Sequence, residues 1–424
     1  MIDIKQIRNN PEELAARLAK KGVEINFTEF LSKDAQRRET IAKIDSLRSE
    51  KKKLSREFAE ARKSNGDISE VENKIKTTDA TIETNEAAIK DLDAYIDSVL
   101  CTLPNPPADG VCAGGKENNE VIKTVGEQPI FGFTPRDHME LSQINGLIDY
   151  ERGAKISGNG FWIYRGTAAR LEWALLNYFV SEHSADNYEM LFLPHILGEK
   201  CGFVAGQFPK FADEVFYIEG TKDFILPTAE TALVNIHRDE ILDEKDLPLR
   251  YFAFTPCYRK EAGSYRKEER GMIRGHQFNK VELFQYAHPD ESQKSLEEML
   301  EKAERLVRNL GLHYQVSKLA AQDCSWSMGT TYDIEVWIPS MGIYKEISSV
   351  SNAYDYQARR GNIRFRGTNK ELRYAHTLNA SGLATSRILP AIFEQFQNAD
   401  GSVAIPEVLR PYMGGQKIIA KRET

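Results

Sequence analysis

Between Phe254 and Tyr286 the chain gathers side chains that could handle a charged ligand. Arg259 and Glu261 are expected on one strand and Glu282 on the other, where Phe278, Lys280, Glu282 and Phe284 occupy alternate positions. Charges on a sheet face are costly unless they meet a partner. A hairpin with a solvated tip explains the polar run Arg259, Lys260, Glu261, Arg266 to Arg270 and Arg274, but not charges within the strands. A guanidinium, two carboxylates and the Phe278 ring on one hairpin make a site for an anion with a flat group, such as a nucleotide.

The hairpin needs a sheet to hold it. From Pro129 onward, helical segments alternate with β-rich runs at Tyr251–Tyr258, Phe278–Tyr286, Tyr332–Trp337 and Gly342–Val350. Their spacing predicts an α+β domain on a mainly antiparallel sheet flanked by helices. Asp290 is placed to cap a helix that carries Leu296, Met299, Ala303, Leu306 and Leu310 on one face and ends at Gly311. Neither a GxGxxG nor a GxxxxGK[ST] pattern occurs, so the Rossmann and P-loop modes lack support.

The first hundred residues follow other rules. Asn10, Pro11, Glu12 and Glu13 begin a short helix that Gly22 ends. Two heptad seams follow: Ile44, Leu47, Lys51, Leu54 and Phe58, then Ile75, Thr78, Ile82, Ile89 and Ile96, separated by Ser64-Asn65-Gly66-Asp67. Folding at that turn pairs Lys51 with Thr78 and Leu47 with Ile82, giving an antiparallel hairpin about 40 Å long. Residues 37–63 carry ten basic and five acidic side chains, and residues 68–98 three basic and eight acidic. The pattern fits a solvated coiled coil whose halves attract each other, and equally a nucleic-acid arm led by Arg48, Lys51, Lys52, Lys53, Arg56, Arg62 and Lys63. The run Leu103 to Pro107 stops the second helix, and a Gly- and Asn-rich stretch reaches Pro129. The predicted domains are residues 1–103, a linker 104–128, and residues 129–424.

The formal net charge of −7 leaves no global basic field, so nucleic acid must meet a local patch. Five cysteines without a CxxC pair, and no signal-peptide or membrane-spanning pattern, predict a reduced, cytoplasmic protein. Eight histidines form no HxxxH pair, so no catalytic zinc is expected.

Several segments together resemble the seryl-tRNA synthetases, class II aminoacyl-tRNA synthetases of the bacterial type. Tyr258 to Gly263 and His276 to Glu282 resemble motif 2; Asn187 to Pro194 resembles motif 1, with Asn187 at its usual glycine; Pro227-Thr228-Ala229-Glu230 resembles the serine-binding loop. Glu346 to Ser349, Gln357 to Arg360, and Thr377 to Arg387 follow the family pattern, the last as motif 3 with Ala380 at a frequent glycine. The motif 2 loop departs at Arg266 to Arg270, so its tRNA contacts cannot be carried over.

The resemblance implies an enzyme that forms seryl-adenylate from L-serine and ATP and charges tRNA(Ser), and by extension tRNA(Sec), as a homodimer away from membranes. It implies Arg259 and Arg387 as catalytic groups on the α- and γ-phosphates. Lys260, Glu261, Phe278, Glu346, Ile347, Ser348 and Ser349 would complete the ATP site, with Mg²⁺ on Glu346 and Ser349. Thr228, Ala229, Glu230, Glu282, Asn379 and Ser381 would take serine, and the basic arm would take the tRNA. The rival readings are an amino-acid:carrier-protein ligase and an inactive synthetase-like tRNA-binding regulator. The long arm argues against the first, and the presence of both arginines against the second.

Overall fold

The computed structural model describes residues 1–261 and 271–421. The chain forms two compact units, one of Ile2–Ala19 with Val23–Leu103, the other of Met1, Lys20–Gly22 and Pro104 onward. Among the described residues no helix is long and apolar enough to cross a membrane.

In the first unit, helices α1 (Ile4–Asn9) and α2 (Pro11–Lys20) precede the long pair α3 (Thr28–Lys63) and α4 (Ser69–Thr102). The predicted seam residues Ile44, Leu54, Thr78, Ile82 and Ile96 are buried, as period-3.5 packing requires. The pairing is antiparallel: Arg37 meets Asp93, Arg48 meets Glu86 at 2.8 Å, and Lys51 meets Asp79 at 2.5 Å. Arg48 and Lys51 of the basic set therefore hold the hairpin together, while Lys52, Lys53, Arg56, Arg62 and Lys63 stand exposed.

The second unit is built on an eight-stranded sheet. In chain order its strands are β1 (Glu120–Val125), β2 (Glu189–Met190), β3 (Leu249–Tyr258), β4 (Gln277–Ala287), β5 (Tyr314–Lys318), β6 (Thr330–Ile338), β7 (Ile343–Tyr354) and β8 (His376–Ala384). Their order across the sheet is β1-β5-β6-β7-β8-β4-β3-β2, antiparallel except where β2 joins β3. Alternation along each strand divides the sheet by face. Val281, Leu283, Ile334, Val350, Leu378 and Ala380 enter the core with helices α5 (Thr167–Ala185), α6 (Ser292–Asn309) and α7 (Thr385–Gln395). Truncating a side chain such as Leu306 there costs about 2–5 kcal/mol. The opposite face carries Lys280, Glu282, Asp333, Ser351, Asn379 and Ser381, which open on a cavity.

Two expectations need correction. The stretch read as a linker contains β1, an edge strand paired to β5 through its backbone while its side chains stay exposed, so no buried alternation betrays it. Asp290 does not cap α6. It lies in a 3-10 turn before the helix, where its carboxylate accepts from Arg373 at 3.3 Å. The divergent loop Arg266 to Arg270 lies outside the described residues.

Candidate active site

The motif 2 hairpin forms as predicted, with β3 and β4 in register from Leu249 opposite Tyr286 to Tyr258 opposite Gln277. Arg259 and Glu261 do not sit on the strand as expected: β3 ends at Tyr258 and the chain bends sharply just beyond it. Glu261 takes φ +50°, a left-handed conformation that costs a non-glycine residue of order 1 kcal/mol or more. The Arg274 guanidinium, donating to Glu261 Oε2 at 2.6 Å, holds it there. At the other predicted departure, Asn187 takes φ +61°, so asparagine fills the left-handed position where the related motif has glycine. His276 braces the hairpin: its Nδ1 lies 3.0 Å from Arg259 O, and Arg259 N–H donates to His276 O. Cys257 and Cys324 are buried.

A cavity of about 530 Å³ lies over the polar face. It gathers Thr228, Glu230, Arg259, Glu261, Glu282, Glu346, Ser349, Asn379, Ser381 and Arg387, drawn from across 160 residues of sequence. A smaller adjoining pocket adds Phe278 and Ile347 and shares Arg259, Glu261, Glu346 and Arg387. Lys260 turns outward, its Nζ 5.8 Å from the Tyr217 ring centroid. Ala229 is buried at the start of a short helix, and Ser348 Oγ donates to Ser381 O at 2.6 Å, bracing β7 against β8. These three do not line the cavity among its described walls.

At one end, Arg259 donates Nε to Pro227 O at 3.3 Å and lies 5.1 Å from the Phe278 ring centroid. Arg387 donates from Nη1 to Glu346 O at 2.7 Å and from Nε to Ile273 O at 3.1 Å. Ser349 Oγ stands 2.5 Å from Asp333 Oδ1 and 3.3 Å from Glu346 Oε1. Burial, then the charge of Glu346, pushes the Asp333 carboxyl well above the usual range. Desolvation acts the same way on Glu346, but Arg387, Arg259 and Ser349 outweigh it and hold that carboxyl low. One acid of the pair is thus inclined to keep its proton beside an ionised neighbour.

At the other end, Lys280 pairs with Glu282 and donates to Thr228 Oγ1 at 2.7 Å. Glu282 thus has Lys280 as its ionic partner, and both remain on the cavity wall. Glu230 accepts from Gln357 Nε2 at 2.7 Å, and Gln357 Oε1 in turn accepts from Thr377 at 2.7 Å. Desolvation, reinforced by the charge of Glu282, raises the Glu230 pKa to about 7.

Sequence reasoning missed Arg274, Asp333, Gln207 and Met328 on these walls. Asp333 stands opposite Ser349 in the β6–β7 register, a pairing that a count between the two predicted strands could have offered. A bulge between Ile334 and Glu335 shifts the register beyond them.

Residues 1–107 match the family described as the seryl-tRNA synthetase N-terminal domain, and residues 215–396 the tRNA synthetase class II core domain (G, H, P, S and T). The chain is 56% identical over 433 residues to serine–tRNA ligase 2 of Clostridium acetobutylicum, covering 99% of this chain and 100% of that one. To the serine–tRNA ligase of Geobacter sulfurreducens it is 45% identical over 425 residues, covering 99% and 100%. The crystal structure of seryl-tRNA synthetase from Pyrococcus horikoshii complexed with ATP superposes with a TM-score of 0.94 at 34% identity, covering 100% of both chains. With both family domains matched and relatives of 56% and 45% identity along 99% of its length, the chain belongs to the seryl-tRNA synthetases.

Proposed function

We propose that the protein activates L-serine with ATP to form seryl-adenylate and then transfers serine to the 3′ end of tRNA(Ser). One observation carries this reading: a single cavity holds two arginines at one end and a carboxylate, ammonium and hydroxyl cluster at the other. The serine carboxylate is ionised at neutral pH, so it attacks the α-phosphorus without a general base, and pyrophosphate leaves. The site must hold two anions together and stabilise the charge that gathers between them. Arg259 would take the α-phosphate and Arg387 the γ-phosphate, as permanent, forked cations. Phe278 would stack on adenine, with Glu261 accepting from its amino group.

The oxygen set of Glu346, Ser349 and Asp333 suits Mg²⁺ by donor chemistry. Among the described residues no group of three His, Cys, Asp or Glu has metal-binding geometry, so Glu346 and Ser349 would share the ion with phosphate oxygens. Bound there, Mg²⁺ supplies charge neutralisation on the phosphates. Thr228, Glu230, Glu282, Asn379 and Ser381 would surround serine, the carboxylates facing its ammonium and hydroxyl.

We assign residues 1–103 to tRNA binding and the unit from Pro104 onward, which includes β1, to catalysis. A homodimer would cover apolar side chains that otherwise stand exposed, among them Phe192, Trp173 and Ile196 at 83%, 59% and 59%, the first just past the edge strand β2. We place the reaction in the cytoplasm, where tRNA and ATP meet and thiols such as Cys257 stay reduced. Neither the carrier-protein ligase nor the inactive regulator is favoured. Serine-dependent ATP–pyrophosphate exchange followed by charging of total tRNA tests the proposal, and exchange with a different amino acid or none at all refutes it.

A further inference from the structure

We propose that Lys21, together with Asn105, is a positioning residue for the amino-acid end of the cavity. The inference rests on the serine-activating reading of that site. Between β5 and β6 the chain runs from Leu319 to Gly329 without helix or strand, so its carbonyls need donors from elsewhere. Lys21 Nζ donates to Ser325 O at 2.8 Å and Met328 O at 2.7 Å. Asn105 donates from its backbone N–H to Trp326 O at 2.9 Å and from Nδ2 to Ser327 O at 2.9 Å. Its second Nδ2 bond, 2.8 Å to Ala353 O, anchors the amide to the end of β7. Four consecutive carbonyls are therefore tied down by two residues lying far away in sequence.

The other side of this loop is the cavity wall, with Ser325, Ser327 and Met328 facing inward. Met328 Sδ accepts from Asn379 Nδ2 at 3.7 Å, and Asn379 lies two residues from Ser381, which stands opposite Glu282 in the β8–β4 register. Gly206, at φ +77°, presses on the loop from across the cavity, where an added Cβ would stand 2.7 Å from Ser327 Cβ. The loop has little room to shift on that side, and its position is set by the tethers behind it.

An ammonium offers three donors and no acceptor, which suits a site made only of carbonyls. Lys21 is 7% exposed, and burial lowers its pKa to about 8, with nearby Lys210 lowering it further and Cys324 opposing. An apolar side chain of similar length would avoid burying a charge but would leave the Ser325 and Met328 carbonyls without this donor. What lysine supplies is direction for the carbonyls, and through them the placement of Met328 and Asn379.

The test uses the full chain and compares wild type with Lys21→Met, Lys21→Arg and Asn105→Asp in serine-dependent pyrophosphate exchange. Lys21→Met should raise the KM for serine roughly tenfold or more, since small misplacements are costly, and leave the KM for ATP within about twofold. Lys21→Arg should recover much of the loss, because its guanidinium can still donate to two carbonyls. Asn105→Asp keeps the volume, removes the Nδ2 donors and should act in the same direction, which preserves the test if Lys21→Met does not fold. An unchanged serine KM, or serine and ATP KM values rising together with arginine no better than methionine, overturns the proposal. Absence of serine-dependent exchange in the wild type would instead overturn the functional reading beneath it.

Discussion

The hydroxyl of Thr228 and the carboxylate of Glu282 meet at 3.3 Å across 54 residues of chain, with the Lys280 ammonium bonded to both. The wall of the proposed serine pocket is therefore a closed polar network before any ligand arrives. A ligand hydroxyl entering this network must replace bonds already made, and one that cannot do so leaves buried groups unpaired.

Glu282→Ala should reduce serine-dependent exchange and weaken the preference for serine over alanine. It also strands the buried Lys280, at a cost of about 3–5 kcal/mol. The double change Glu282→Ala, Lys280→Met should recover most of the lost Tm without recovering the preference. Exchange assays with both amino acids, beside thermal melts, separate the two effects. A single variant that kept full preference would remove Glu282 as the reader of the hydroxyl.

Arg387→Ala should lower exchange by two to three orders of magnitude, as loss of a group worth about 3–4 kcal/mol in the transition state implies. Its side chain is partly exposed and bonds to the carbonyls of Glu346 and Ile273 without filling the core, so circular dichroism should show an intact fold. Near-normal exchange in the folded variant would contradict its role.

Glu230 gives a pH signature. Its folded pKa is raised from 4.5 to about 7, so between those values the native state binds more protons than the unfolded chain. Stability from this group is full below pH 4.5 and declines as pH rises through about 7. Glu172, raised to about 7 by burial, shifts stability the same way, so only a comparison isolates Glu230. The stability advantage of wild type over Glu230→Gln should shrink across this window in urea titrations. Parallel curves would show that Glu230 does not titrate there.

Deleting Gln36 to Ser98 and bridging the ends should spare pyrophosphate exchange and abolish efficient tRNA charging. Neutralising Lys52, Lys53 and Arg56 is the milder form. It spares the ion pairs of Arg48 and Lys51, and should raise the KM for tRNA and flatten its salt dependence. Normal charging by the truncated chain would reduce the arm to a spacer.

Phe192→Asp should yield monomers in sedimentation, because a charge replaces the most exposed aromatic of the proposed dimer face. A variant that stayed dimeric would move the interface elsewhere.

Much of this was legible because local pattern and tertiary demand agree. The heptads at Ile44, Leu54 and Ile82 are dictated by burial of one helix face, and the alternation along β4 by apolar Val281 and Leu283 facing the core while Lys280 and Glu282 face the cavity. What escaped was carried by the backbone or by distance. Strand β1 pairs without burying its side chains, and Asp333 reaches Ser349 through a strand register. Lys21 meets Met328 O across 307 residues, and nothing in its neighbourhood in sequence distinguishes it from a solvated lysine.

The two faces of the central sheet answer to different selection pressures. A library of variants screened for folding alone should fill the positions of Lys280, Glu282 and Asp333 with apolar residues, since uncharged substitutes avoid their desolvation. The positions of Leu283, Val350 and Ala380 on the reverse should come through that screen almost unchanged. Screened for growth on its activity, the same library should restore the charges and accept a lower melting temperature. The apolar face of these strands thus carries stability alone, while each charge on the polar face trades some stability for the reaction it serves.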